Sequence, residues 1–170
     1  MLSFLFRGLT ALPARGESLF AAITAEARRP FWYLECEVPD TLDGRFAVLA
    51  TLGALVLVRL ERDGDCGNAV SVGFTERFIE VMEAEHRELG IGDPTLGRTV
   101  RKLVGMLARR TELWRSASEG QRPWREASRD SLYKSDPTPQ ALEHGASALE
   151  QFRNQLDERT LTEIEQGAIE

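Results

Sequence analysis

Apolar residues recur along this chain at spacings of three and four, the mark of helices that each bury one face. The cleanest case follows Asp93-Pro94, where Leu96, Val100, Leu103, Val104, Leu107 and Trp114 line one side of a predicted helix that Gly120 and Pro123 end. Before it, Phe74, Phe78, Val81, Met82 and Leu89 predict a helix over about 69–89, with Gly90 suited to a left-handed C-cap and Ile91 placed to pack back on the last turn. Phe46 to Val58 is instead a thirteen-residue run without a charge, apolar but for Thr51, so the helix predicted over 42–61 belongs in the middle of the core. Asp40 or Thr41 is its expected N-cap, and Gly44 and Gly53 permit close approach of other elements. Leu19, Phe20 and Ile23 predict a shorter helix between Gly16 and Pro30, and Leu2, Leu5, Phe6, Leu9 and Leu12 an amphipathic one over 2–12 that stops near Pro13. Towards the end, a short helix is expected over 124–134 and a long one over 140–156, burying Leu142, Ala146, Leu149 and Phe152, with room for a second short helix before an acidic end at Glu163, Glu165 and Glu170.

Between these stretches the pattern breaks. Residues 31–40 carry three consecutive aromatics, Phe31-Trp32-Tyr33, without helical period and read as extended or irregular; 62–68 read as a loop by composition. No strand pattern persists, so the expected fold is all-α, a single compact domain of about six to eight helices. Its expected organisation is an amphipathic segment at 1–15, the helical domain at 16–157 and an acidic, fraying tail at 158–170. The thirteen-residue apolar run is short of the ~20 residues that span a bilayer, and the N-terminus lacks the pattern of a signal peptide. A cytoplasmic protein, able to lie peripherally at the inner membrane, is expected.

Composition narrows the chemistry. The 170 residues include 42% hydrophobic and 28% charged ones, the balance of a globular chain. A net charge of −6 gives no general attraction to nucleic acid, and no specific DNA partner is expected. Cys36 and Cys66 stand too far apart for a CxxC pair and read as structural thiols. Among the two histidines, His86 and His144, only His86 has an acid near helical spacing (Glu83), which is no ligand set. There is no GxSxG elbow, no histidine identifiable as a base for either thiol, and Gly90-Ile91-Gly92 lacks the residues that grip phosphate. Neither an enzyme nor a cofactor or metal is expected.

Two clusters stand out from this background. Residues 98–115 hold six basic groups against one acid, with Arg98, Arg101, Lys102 and Arg109 on the face opposite the apolar stripe. One reading is a solvated face, partly paired with Glu76, Glu80, Glu83, Glu85 and Glu88 of the preceding helix; the other is a docking surface for an acidic partner, lipid head groups or ribosomal RNA. Phe31-Trp32-Tyr33 is either a plug over one end of the core or an interface cluster.

The strings Val38-Pro-Asp-Thr-Leu-Asp-Gly-Arg-Phe46, Phe74-Thr-Glu-Arg-Phe-Ile79 and Arg87-Glu-Leu-Gly-Ile-Gly-Asp93, with Trp32-Tyr-Leu-Glu35 before them and Gly97-Arg-Thr-Val-Arg-Lys102 after, resemble the ubiquinol–cytochrome c chaperone family over about residues 30–155. Cys36-Glu37 and Leu107-Ala-Arg-Arg110 depart from that family's usual residues. The resemblance implies an all-helical, non-catalytic assembly chaperone for respiratory complex III. It implies newly made cytochrome b, or another subunit of that complex, as client, with a small co-chaperone and contact with the ribosome or membrane. A holdase needs apolar surface that it does not bury itself, and Phe31, Trp32, Tyr33, Arg45, Arg98, Arg101, Lys102 and Arg109 are expected to form that face. A helical domain binding an apolar ligand in an enclosed pocket lined by Trp32, Phe46 and Trp114, or a constitutive interaction subunit, would be the alternatives.

Overall fold

A central helix with almost no polar side must be surrounded, and the rest of the chain is arranged to do that. The computed structural model describes residues 16–88 and 93–169. Among them lie eight α-helices: α1 (Glu17–Ala27), α2 (Phe31–Leu34), α3 (Leu42–Leu60), α4 (Gly64–Glu88), α5 (Asp93–Ser118), α6 (Trp124–Leu132), α7 (Pro139–Glu158) and α8 (Leu161–Glu165). The fold is all-α, without strands among the described residues. The α3 helix packs against α1, α4, α5, α6 and α7 at once, and 14 of its 19 residues are buried. No helix among the described residues is long and apolar enough to cross a membrane.

Local chemistry sets the start of α3. The Thr41 hydroxyl accepts from the Gly44 amide at 3.2 Å and Asp43 sits in the first turn, where the helix dipole favours an acid. Gly44 is required here, since a side chain would bring its first carbon within 1.9 Å of the Pro39 carbonyl oxygen. At the other end Arg59 is buried against the C-terminal turn of α7, donating to the Leu156 and Arg159 carbonyls at 3.1 and 2.7 Å and pairing with Asp63 at 2.6 Å. That places a cation on the negative end of a helix dipole, beside the Leu156 carbonyl that also accepts from the Arg159 amide at 3.2 Å.

Aromatic rings knit the helices around α3. Phe20 of α1 meets Phe74 and Phe78 of α4 at centroid distances of 5.9 and 6.4 Å, and Phe46 of α3 meets Phe78 at 6.0 Å. On the opposite side Trp114 of α5 and Trp124 of α6 lie 4.7 Å apart. The Trp114 indole donates to the Ser131 hydroxyl at 3.1 Å, and that hydroxyl shares a 2.6 Å hydrogen bond with Thr51 of α3. One small polar node thus ties α3, α5 and α6 together within an apolar core.

Three segments differ from the sequence expectation. Phe31–Leu34 is a helical turn rather than extended, because Pro30 fixes a helical φ at its start and the Pro30 carbonyl accepts from Tyr33 and Leu34. The expected 62–68 loop is a 3₁₀ turn at Glu61–Asp63 leading straight into α4. The short helix expected after the long one is α8, but the acidic end around it is not frayed: Thr160 and Glu163 form a capping box, and Ile164 and Ile169 are buried. The predicted helix at 2–12 and the Gly90–Ile91 cap lie outside the described residues.

Candidate functional site

Where α1, α2, the start of α3, the end of α4 and the first half of α5 converge, they leave an open groove of about 1290 Å³. Its floor is core: Phe20 and Ala27 from α1, Phe46 and Leu49 from α3, and Met82 from α4. Its walls are the half-buried Tyr33, Val81, Leu103 and Met106. Its lip is oily: Leu34 is 77% exposed and Leu42 is 55% exposed, two of the three exposed large hydrophobics among the described residues. Exposed leucines over an apolar floor form a continuous surface that the fold itself leaves uncovered.

Charge of both signs rims this surface. Arg28, Arg45, Lys102 and Lys134 stand with Asp40, Asp43, Glu85 and Glu88. Arg45 Nε donates to Asp40 at 2.6 Å and Lys134 Nζ to Asp43 at 2.5 Å, and these bonds hold both carboxyls below the usual aspartate range. Lys102 adds to the depression at Asp43 through space, without a direct ion pair among the described residues.

The α5 cations divide into two groups. Arg110 is a structural residue: its guanidinium donates to the Ser131 carbonyl at 3.0 Å and lies 5.9 Å from the Phe46 ring, and burial pulls its pKa down. Arg115 is fixed by Glu61, with hydrogen bonds of 3.0 and 2.6 Å, and by Glu112. Arg98, Arg101, Lys102 and Arg109 are exposed and form no ion pair among the described residues. Among the described residues no acid of α4 forms an ion pair with them, and Glu80 pairs with Arg77 of its own helix at 3.2 Å.

The eight residues expected to share one face are therefore distributed. Tyr33, Arg45 and Lys102 meet on the groove. Arg98 and Arg101 flank Lys102 on exposed helix surface, and Arg109 lies two turns further on. Phe31 turns the other way, into a second hollow of about 410 Å³, with the Arg29 guanidinium 6.0 Å from its ring. Trp32 is a correction: it is 1% exposed, packed edge-on to Phe31, and its indole donates to the Glu26 carbonyl at 3.1 Å. With its polar atom satisfied inside, it serves the core and offers nothing to a partner. The pocket expected from Trp32, Phe46 and Trp114 does not form, since both tryptophans are buried in separate packings and only Phe46 reaches the groove.

Sequence reasoning missed Leu34, Leu42, Arg28 and Lys134. The signal for Leu42 was its place directly after the Thr41 cap, where a helix has just begun and its first side chains project past the core. Among the described residues no three His, Cys, Asp or Glu side chains come together as a metal site. Cys36 is buried, and its thiol is pushed up to about 12 by burial, far from a nucleophile's range.

Comparison with known proteins places this geometry in a family. The ubiquinol–cytochrome c chaperone family model matches residues 34–169. No curated protein sequence matches the chain. Among solved structures, the Cbp3 homologue from Brucella abortus shares the fold, with a TM-score of 0.75 and 25% identity over 98% of this chain and 94% of that one. The match covers every helix that builds the groove except α1 and most of α2, and the chain belongs to the ubiquinol–cytochrome c chaperone family.

Proposed function

We propose that the chain is a non-catalytic chaperone in the assembly of ubiquinol–cytochrome c reductase, and that it holds an apolar segment of newly made cytochrome b, or of a related membrane subunit, in the groove between α1, α3, α4 and α5. Family membership supports the assembly role. The observation that carries the binding reading is the exposed Leu34–Leu42 lip over an apolar floor, beside Lys102, which forms no ion pair among the described residues. A nascent membrane helix exposes leucine-rich surface and needs temporary cover. The groove covers one side of such a helix, while Lys102, Arg98 and Arg101 meet polar or acidic flanks, or the head groups of anionic lipid. A small co-chaperone, and peripheral contact with the inner membrane or the ribosome from the cytoplasmic side, belong to the same reading.

Replacing Arg98, Arg101 and Lys102 together with Glu tests it. These exposed residues hold no ion pair among the described residues, so the variant should keep its fold by circular dichroism. It should fail to complement a complex III assembly defect, and cytochrome b should disappear from its pull-down. Full complementation would remove these cations from the mechanism.

A further inference from the structure

The second hollow, into which Phe31 turns, has polar groups that the fold satisfies only in part. It lies between the end of α1, the start of α2, the second half of α7 and Ile169, and holds about 410 Å³. That volume falls in the usual ~300–1,000 Å³ range of ligand sites. Phe152 and Ile169 are buried and Phe31 is half-buried, so one side of the hollow is apolar.

Arg29 is oriented for a carboxylate. Its Nη1 donates to both Glu26 carboxylate oxygens, at 3.1 and 3.3 Å, and its guanidinium lies 6.0 Å from the Phe31 ring. The Glu26 side chain is 12% exposed and that of Arg29 60%, so the pair is anchored on the protein side and open on the other. Nε and Nη2 of Arg29 form no hydrogen bond among the described residues. Together they are an edge of the guanidinium that takes a carboxylate through two parallel bonds. Glu26 offsets the charge of Arg29, which makes the attraction short-ranged and dependent on hydrogen-bond geometry.

Gln151 and Gln155 complete the hollow from α7, and neither side-chain amide has a hydrogen-bond partner among the described residues. They stand one turn apart, about 6 Å along the helix axis. Backbone groups on one edge of an extended chain recur every two residues, about 6.6 Å. Each glutamine amide both donates and accepts, as a backbone does. We propose that the hollow captures the C-terminus of a partner polypeptide ending in an apolar residue. Its terminal carboxylate meets Arg29, its last side chain lies against Phe31, Phe152 and Ile169, and the preceding backbone runs along Gln151 and Gln155. This site is separate from the groove and does not rest on the client reading.

Fluorescence anisotropy on the full-length chain tests the assignment with a fluorescein-labelled glycine–serine peptide ending in alanine–leucine, carrying either a free carboxylate or an amide at its end. The free acid should bind at least about tenfold more tightly, the effect of a charge-assisted hydrogen bond. Arg29→Gln should bring the free acid to the level of the amide, and Gln151→Ala with Gln155→Ala should weaken both forms. The comparison of acid with amide needs no variant, so a folding defect in either variant leaves the assignment open to refutation. Equal binding of the two forms, or binding of neither, overturns it. A preference for the acid that persists in Arg29→Gln would put the carboxylate on other cations, such as those of the groove, and overturns it as well. Full displacement of the peptide by an equal concentration of octanoate would give the hollow to free fatty acids and overturn the polypeptide as its occupant.

Discussion

Leu34 and Leu42 offer a perturbation whose effects on folding and on binding should separate. Leu34 is 77% exposed and Leu42 is 55% exposed in the folded chain. A leucine side chain gains about 2 kcal/mol on full burial, so folding has collected only a minor part of that gain at these two positions. Covering the remainder on docking would yield about 1.5 kcal/mol at Leu34 and about 1 kcal/mol at Leu42. Their sum of about 2.5 kcal/mol corresponds to roughly a 70-fold change in affinity, and partial coverage by a client brings this to about tenfold. The variant Leu34→Ser with Leu42→Ser should therefore bind a fluorescein-labelled leucine–alanine helical peptide at least about tenfold more weakly by fluorescence anisotropy. Its stability in urea should fall by no more than about 1.5 kcal/mol, the part of the gain that folding has already collected at the two positions. A buried core leucine behaves oppositely, losing stability first. A large stability loss with unchanged peptide affinity would refute the reasoning, since the two leucines would then be serving the fold.

Three further outcomes follow from the packing. Gly44→Ala forces a carbon to within 1.9 Å of the Pro39 carbonyl, so the Val38–Thr41 turn must shift, and melting should drop by at least ~4–8 °C for an overpacking penalty of about 2 kcal/mol; calorimetry with an unchanged midpoint would contradict the contact. Ser131→Ala leaves the buried Trp114 indole N–H without its acceptor, while Thr51 still donates to the Ala47 carbonyl at 2.6 Å, so urea unfolding should show a loss of about 1–3 kcal/mol. Glu163 is held below the usual glutamate range by hydrogen bonds from the Thr160 amide and hydroxyl. A depressed folded pKa adds stability that is present above the unfolded value and lost as pH falls through the folded one, so amide protection at 161–166, taken relative to the intrinsic exchange rate at each pH, should fall below about pH 4 in the parent and stay level there in Glu163→Gln.

The central helix was legible because its apolar run tolerates no solvent-facing side, and α5 because its stripe repeats over five turns. The face for a partner was harder to read, for reasons the residues make plain. Phe31, Trp32 and Tyr33 are adjacent in sequence, yet a helical turn points them in three directions: towards a side hollow, into the core and onto the groove. Adjacency suggests a cluster, whereas the 100° rotation per residue of a helix disperses it. Charge misled in a related way, because sequence alone cannot separate Arg110, which donates to a carbonyl 21 residues away, from Arg109 beside it, which has no ion pair among the described residues. The frayed tail expected from three glutamates gave way to Ile164 and Ile169, two apolar side chains whose burial the acids do not oppose.

The distribution of charge bears on how the groove would work. Acids on α4 lie on the helix next to the α5 cations, and a few changes of register would pair them. Exposed pairs of that kind contribute only about 0–1 kcal/mol, so leaving Arg98, Arg101, Lys102 and Arg109 unpaired costs the fold little. It leaves Lys102 at the edge of the apolar groove, with Arg98 and Arg101 beside it on exposed helix surface. At physiological salt their field fades over about 8 Å, so it acts on a partner already in contact and does little to draw one from a distance. On the proposed reading, apolar contact would supply most of the affinity, and Lys102 would select register and orientation for a segment whose acidic or phosphate-bearing flank falls beside it. A chaperone that must later release its client is well served by this division, because an apolar hold of modest area is reversible and a surface-exposed charge contact exchanges readily with the next partner.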